Sequence, residues 1–134
     1  MDMKVFAHYI QEYKRGLRDL VLYTTKRSNR DAIEKRLKRE MIEYYIQEVN
    51  KTKINVFFGN SICIAVIKQM NLTSLSNLTD EEDFILGTML GYDRVKQCER
   101  YLKRKRTSAN NLEKVSCKLK YPTVGSEDSI AITT

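Results

Sequence analysis

The sequence predicts an α+β fold on three observations. Two β-branched and aromatic runs, residues 42–49 and 54–59, flank the polar connection "NKTK" in the manner of a hairpin. Capped stretches of helical spacing lie on either side of that hairpin, at 28–41 and 79–90. The balance of 42% hydrophobic and 31% charged residues over 134 positions is that of a globular chain with one real core.

The first stretch, "KVFAHYI" at 4–10, is β-branched and aromatic and reads as a strand. The polar "QEYKRG" then suits a turn, and "LRDLVLYT" at 17–24 a second strand, the two forming an antiparallel hairpin. "SNRDAIEKRLKREM" predicts a helix capped by Ser28 or Asn29, with Ala32, Ile33, Leu37 and Met41 as its apolar stripe. In the central hairpin, Ile42, Tyr44 and Ile46 point one way, and Tyr45 and Val49 the other. On its second strand Ile54, Val56 and Phe58 share a face opposite Phe57. Both faces carry aromatics, so neither is expected to meet plain solvent.

Asn60 caps "SICIAVIKQM", a helix apolar nearly all round and therefore expected between layers or at a subunit interface. Thr79 and Glu82 are spaced as a capping box, with Asp80, Glu81 and Asp83 adding favourable charge to the start of the helix. Gly91 stands where a C′ glycine would end it. Asp93 can then cap "RVKQCERYLKRKR", whose stripe is Val95, Cys98, Tyr101 and Leu102. The tail from Thr107 lacks strong periodicity, although "VSCKLKYPTV" could add a short edge strand.

Assembled, these elements predict a ferredoxin-like β-α-β-β-α core with an extra N-terminal strand, giving a four-stranded antiparallel-rich sheet, plus two C-terminal helices. The expected organisation is a single domain over 1–106 and a mobile tail over 107–134.

Charge is unevenly spread. The net +7 is concentrated in residues 94–106, which hold seven Lys/Arg against one Glu. That places the electrostatic argument on one segment, with Arg94, Lys96, Arg100, Lys103, Arg104, Lys105 and Arg106 as candidate contacts to an anionic surface or nucleic acid. No RNP-like aromatic pattern accompanies them, and cations near a helix C-terminus also serve its dipole. A solvated helix end is the plainer reading.

Three cysteines without a C-x-x-C pair, and a single histidine, speak against a disulfide framework and against a zinc site. Cys98 is flanked by Arg94 and Lys96, and nearby cations favour a thiolate, so a thiol-dependent enzyme is one candidate. Its place on the apolar stripe predicts instead a small buried hydrophobe. His8 lies within the predicted first strand without a motif around it; Asp93 or a nearby Glu would have to orient it as a base. Walker, G-x-S-x-G, G-x-G-x-x-G and H-E-x-x-H patterns are missing, and no cofactor is implied. No apolar run approaches the ~20 residues that span a bilayer. With no signal-peptide pattern at the start, a cytoplasmic protein is expected.

The pieces "EYKRGLRDLVLYT", "NVFFGN", "LTDEEDFILGTMLGYD" and "KQCERYL" occur in the order found in one family. Over roughly residues 3–103 the chain resembles a group of short uncharacterised bacterial proteins, a domain of unknown function often encoded beside or fused to flavodoxin. The resemblance implies flavodoxin or another redox protein as a partner and assigns no catalytic residue. The sequence thus favours a non-enzymatic accessory or regulatory module, homo-oligomeric, with Phe57, Tyr45 and Tyr101 as candidate interface residues. Nucleic-acid binding through 94–106 and thiol chemistry at Cys98 are the alternatives.

Overall fold

A computed structural model describes residues 3–116, with side chains through Asn110. Its elements are α1 (Met3–Lys14), β1 (Leu20–Lys26), a 3₁₀ turn (Arg27–Asn29) running into α2 (Arg30–Arg39), β2 (Glu43–Glu48) and β3 (Lys53–Gly59). Next come α3 (Ser61–Met70), a second 3₁₀ turn (Leu75–Asn77), α4 (Asp80–Met89) and α5 (Arg94–Ser116). The chain divides into two compact units. The first takes the residues up to Leu78 with Met89–Gly91; the second takes Thr79–Thr88 and the chain from Tyr92.

In the first unit β3 is the centre of a three-stranded antiparallel sheet of order β1-β3-β2. The predicted central hairpin forms with Tyr44 opposite Phe58 and Ile46 opposite Val56. The side chain of Asn50 shapes its turn, accepting from the backbone N–H of Thr52 at 2.8 Å and of Lys53 at 2.9 Å. As the alternation predicts, Val21, Ile54, Val56 and Phe58 gather on one face, over which Phe6 and Ile10 of α1 and Ile33 and Leu37 of α2 close the core. Phe6 meets Phe58 edge-on at 5.6 Å and stacks on Tyr23 at 5.6 Å.

The opposite face carries Phe57 beside Tyr45, ring centroids 6.4 Å apart. A polar row crosses all three strands there. Thr24 Oγ1 donates to Asn55 Oδ1 at 2.6 Å, and Asn55 Nδ2 donates to Gln47 Oε1 at 3.2 Å. Both Asn55 and Gln47 are buried. Asn60 caps α3 as predicted, its Oδ1 accepting from Ile62 N at 2.8 Å. That helix buries Ile64 and Ile67 and leaves Ile62 73% exposed, so its burial is one-sided although its residues are apolar nearly all round. Gly59 at φ +147° has no room for a side chain, since a Cβ there would come within 2.3 Å of the Asp19 carbonyl oxygen.

The predicted ferredoxin-like four-stranded sheet is overturned at the N-terminus. The sequence from Lys4 to Ile10 lies within α1, not in a strand. Its burial follows a helical period: Phe6 and Ile10 are fully buried, while Lys4, Val5 and His8 are exposed. Local aromatic content had outweighed that spacing. Without the extra strand there is no N-terminal hairpin, and β1 pairs with β3 instead. The α+β class stands, with five helices and three strands among the described residues.

Smaller corrections have local causes. Met41, expected on the α2 stripe, follows the helix end at φ 60° and is 90% exposed. Asn29 is the N-cap residue of α2, one of the two predicted, but its side chain makes no capping bond; its Nδ2 donates to Thr25 Oγ1 at 2.9 Å. Helix α5 continues through Arg106 to Ser116. The predicted edge strand "VSCKLKYPTV" lies outside the described residues from Cys117 onward.

Candidate functional site

The second unit is a helical hairpin whose ends are set by the predicted caps. Thr79 N donates to Glu82 Oε1 and Glu82 N to Thr79 Oγ1, each at 3.0 Å, which completes the capping box. Asp93 Oδ1 accepts from Lys96 N at 2.9 Å and starts α5. Gly91, at φ +87° between them, adopts the left-handed backbone that its C′ position predicts.

Side chains four apart on α5 then meet the first turn of α4. Arg100 forks onto Asp83, with Nε 2.7 Å from Oδ2 and Nη2 3.0 Å from Oδ1. Arg104 Nε lies 2.9 Å from Asp80 Oδ1 and Nη1 3.1 Å from Asp83 Oδ1. Lys105 Nζ reaches Glu81 Oε2 at 3.1 Å, and the Tyr101 hydroxyl donates to the same oxygen at 2.9 Å. Hydrogen bonds from Lys105 and then Tyr101 hold the Glu81 carboxyl below its ordinary range, while the Glu81 acceptor raises Tyr101 and Lys105. Asp83 likewise raises Arg100.

These contacts redistribute the candidate anion-binding residues. Arg100, Arg104 and Lys105 are engaged with carboxylates of their own hairpin. Arg94, Lys96, Lys103 and Arg106 are exposed and have no ion pair among the described residues. Of the candidate interface residues, Phe57 is fully buried, Tyr45 half-buried beside it, and Tyr101 half-buried against Phe84 at 5.5 Å. The predicted set is therefore split between the two units.

Beside the ion pairs lies an apolar cleft of about 470 Å³, lined by Glu81, Phe84, Ile85, Cys98, Tyr101 and Leu102. Val95 on the same α5 stripe is 67% exposed and Ile85 39%. Cys98, predicted to be buried, is exposed. The stripe forms at the predicted spacing, but the hairpin covers only part of it. Cys63 is the half-buried thiol, and burial followed by nearby Asp19 raises it, which makes its thiolate scarcer. His8 stands on α1, with Nε2 3.1 Å from Glu12 Oε2 one turn on.

A second cleft, of about 810 Å³, belongs to the first unit and was missed from sequence. Lys26, Arg27, Ser28, Arg30, Asp31, Lys51, Thr52 and Lys53 line it. Strand pairing brings 26–30 and 51–53 together: Lys26 is opposite Lys53, and Arg27 N donates to Thr52 O at 2.7 Å. Because residues 1–93 carry nearly as many acids as bases, their summed charge concealed this local excess.

Taken by its architecture, the chain is an α+β sheet-and-helix unit joined in sequence to a charged helical hairpin. It belongs to the DUF2023 family of proteins of unknown function, whose model matches residues 4–104. No curated protein matches it. The match ends within α5, two residues short of Arg106. Among the described residues no helix is long and apolar enough to cross a membrane, and no group of three or more His, Cys, Asp and Glu could hold a metal ion.

Proposed function

We propose that this chain is an accessory module acting through protein contacts, and that the apolar cleft of the α4–α5 hairpin receives a second copy of the same hairpin. The supporting observation is the open stripe, with Val95 at 67% and Ile85 at 39% exposure beside an exposed Cys98. Apolar surface left in water costs about 25 cal/mol per Å². A helical hairpin with an uncovered stripe is completed by further helices, and a second hairpin makes a four-helix arrangement. The proposed contact lies on the Tyr101 side; the buried ring of Phe57 has no surface to offer.

Light scattering on the gel-filtered full chain tests this. A dimer is expected, and Val95→Asp should give a monomer of unchanged helical signal, since the Val95 side chain is mostly outside the hairpin's own contacts. A wild-type monomer at the highest soluble concentration sinks the proposal. Flavodoxin remains the partner that the family resemblance implies. Its capture by the wild-type chain but not by Val95→Asp would give the cleft to that protein instead. The nucleic-acid reading of 94–106 is weaker, because three of its seven cations already hold carboxylates.

A further inference from the structure

The basic cleft of the first unit is built by pairing rather than by sequence proximity. Lys26 ends β1, Arg27 and Ser28 open the 3₁₀ turn, Arg30 opens α2, Lys51 and Thr52 come from the β2–β3 turn, and Lys53 opens β3. Five cations thus line a cleft that holds one acid, Asp31. Two of them are already committed. Arg27 forks onto Glu48, with Nη1 3.0 Å from Oε2, and donates through Nη2 to the Asn50 carbonyl at 3.0 Å. Arg30 is shared by Glu34, at 3.0 Å, and Glu48, at 3.5 Å. Lys26, Lys51 and Lys53 have no ion pair among the described residues.

The placement of two of those lysines runs against stability. Lys26 and Lys53 are directly opposite across an antiparallel pair, where like charges repel. Nothing in the packing requires it, as both are exposed. An anion seated between them would convert the repulsion into two attractions. The neighbouring polar residues suit that guest, since Ser28 and Thr52 line the same cleft. No aromatic ring lines it, so a nucleic-acid strand would find no base-stacking platform here. The volume falls in the range of small-ligand sites.

We infer that this cleft binds a small ligand carrying two or more phosphate groups, held by Lys26, Lys51 and Lys53. The site is independent of the α4–α5 cleft, so a monomeric protein leaves it standing. Titration calorimetry of the full chain with sodium tripolyphosphate at two salt concentrations tests it. Single-site binding that weakens with salt is expected. The triple variant Lys26→Gln, Lys51→Gln, Lys53→Gln should lose at least about tenfold in affinity, the loss of an attraction worth roughly 1.4 kcal/mol. A control removing the same charge from the outer face of α2 (Lys35→Gln, Lys38→Gln, Arg39→Gln) should bind as the wild type does.

A thermal melt supplies the second readout. At low salt without ligand, Lys53→Gln should melt higher than wild type, and tripolyphosphate should stabilise it less. Equal weakening by the control variant, or stabilisation by tripolyphosphate no greater than by sulfate at equal ionic strength, overturns the inference. So does an oligouridylate whose binding is lost in the triple variant and is not displaced by tripolyphosphate.

Discussion

Strand β3 and helix α5 sit at the centres of the two units and meet their neighbours in opposite ways. Six consecutive residues of β3, Ile54 to Gly59, are buried, with rings and aliphatic side chains on one face and the polar row through Asn55 on the other. Over its described side chains α5 has no buried residue, and its bonds to α4 run through Arg100, Tyr101, Arg104, Lys105 and Ser108. Among the described residues, Leu86 is the one buried hydrophobic side chain of the second unit. Apolar burial resists salt and acid, whereas exposed ion pairs are worth little each and are screened. The first unit is therefore a scaffold in its own right. Among the described residues the hairpin leaves Val95 and Ile85 of its apolar stripe exposed.

The strongest way to break this contrast is Phe58→Ala, which removes the ring that Phe6 meets edge-on. A loss of about 3–5 kcal/mol in urea unfolding is expected, read from the aromatic circular dichroism of the sheet unit. A loss under about 1 kcal/mol would mean the core is not where the first unit's stability resides. Thr79→Ala is the smaller cut, removing one half of the α4 capping box. It should cost about 1 kcal/mol, seen as faster amide exchange in the first turn of α4 with β3 amides unchanged.

Acid should produce the smallest effect. Glu81 has a folded-state pKa below its ordinary value, so its pairing is present above the usual carboxylate range and lost as pH falls through the folded value. Amide protection in α4 and α5, corrected for the pH dependence of intrinsic exchange, is expected to fall below about pH 4.3, the ordinary glutamate value. The β3 amides should hold longer. Glu40, lowered by Lys14 and then Arg36, and Glu48, lowered by Arg27, move the same way. The first unit therefore also weakens, but with its core intact. Equal acid sensitivity in both units would erase the distinction.

What the sequence made legible was local. The caps at Asn60, Thr79 and Asp93, the stop at Gly91 and the central hairpin all rest on contacts within a few residues, and each is present as predicted. The errors needed partners distant in the chain. Whether "KVFAHYI" is helix or strand depends on which face meets Phe58, some fifty residues on, and composition alone could not say. Met41 fell off its stripe because α2 ends before it. Cys98 lay at the right helical spacing, but whether a stripe is covered depends on what lies opposite. Three of the seven cations in 94–106 were legible as charge and not as pairing, since their acids lie on α4. The cleft at Lys26 and Lys53 was invisible for the same reason: only the antiparallel register joins its two halves.

The row Thr24–Asn55–Gln47 has a consequence beyond its own hydrogen bonds. Sliding an edge strand by one residue would turn its apolar side chains outward, an error that the hydrophobic pattern punishes by itself. Sliding by two preserves the alternation and escapes that penalty. It would, however, set Leu22 of β1 against Asn55 in place of Thr24, or Tyr45 or Val49 from the β2 side in place of Gln47. The buried amide would then lack a partner, at a cost of about 1–3 kcal/mol. Three polar residues in an apolar sheet thus act as a parity check on how its strands are threaded.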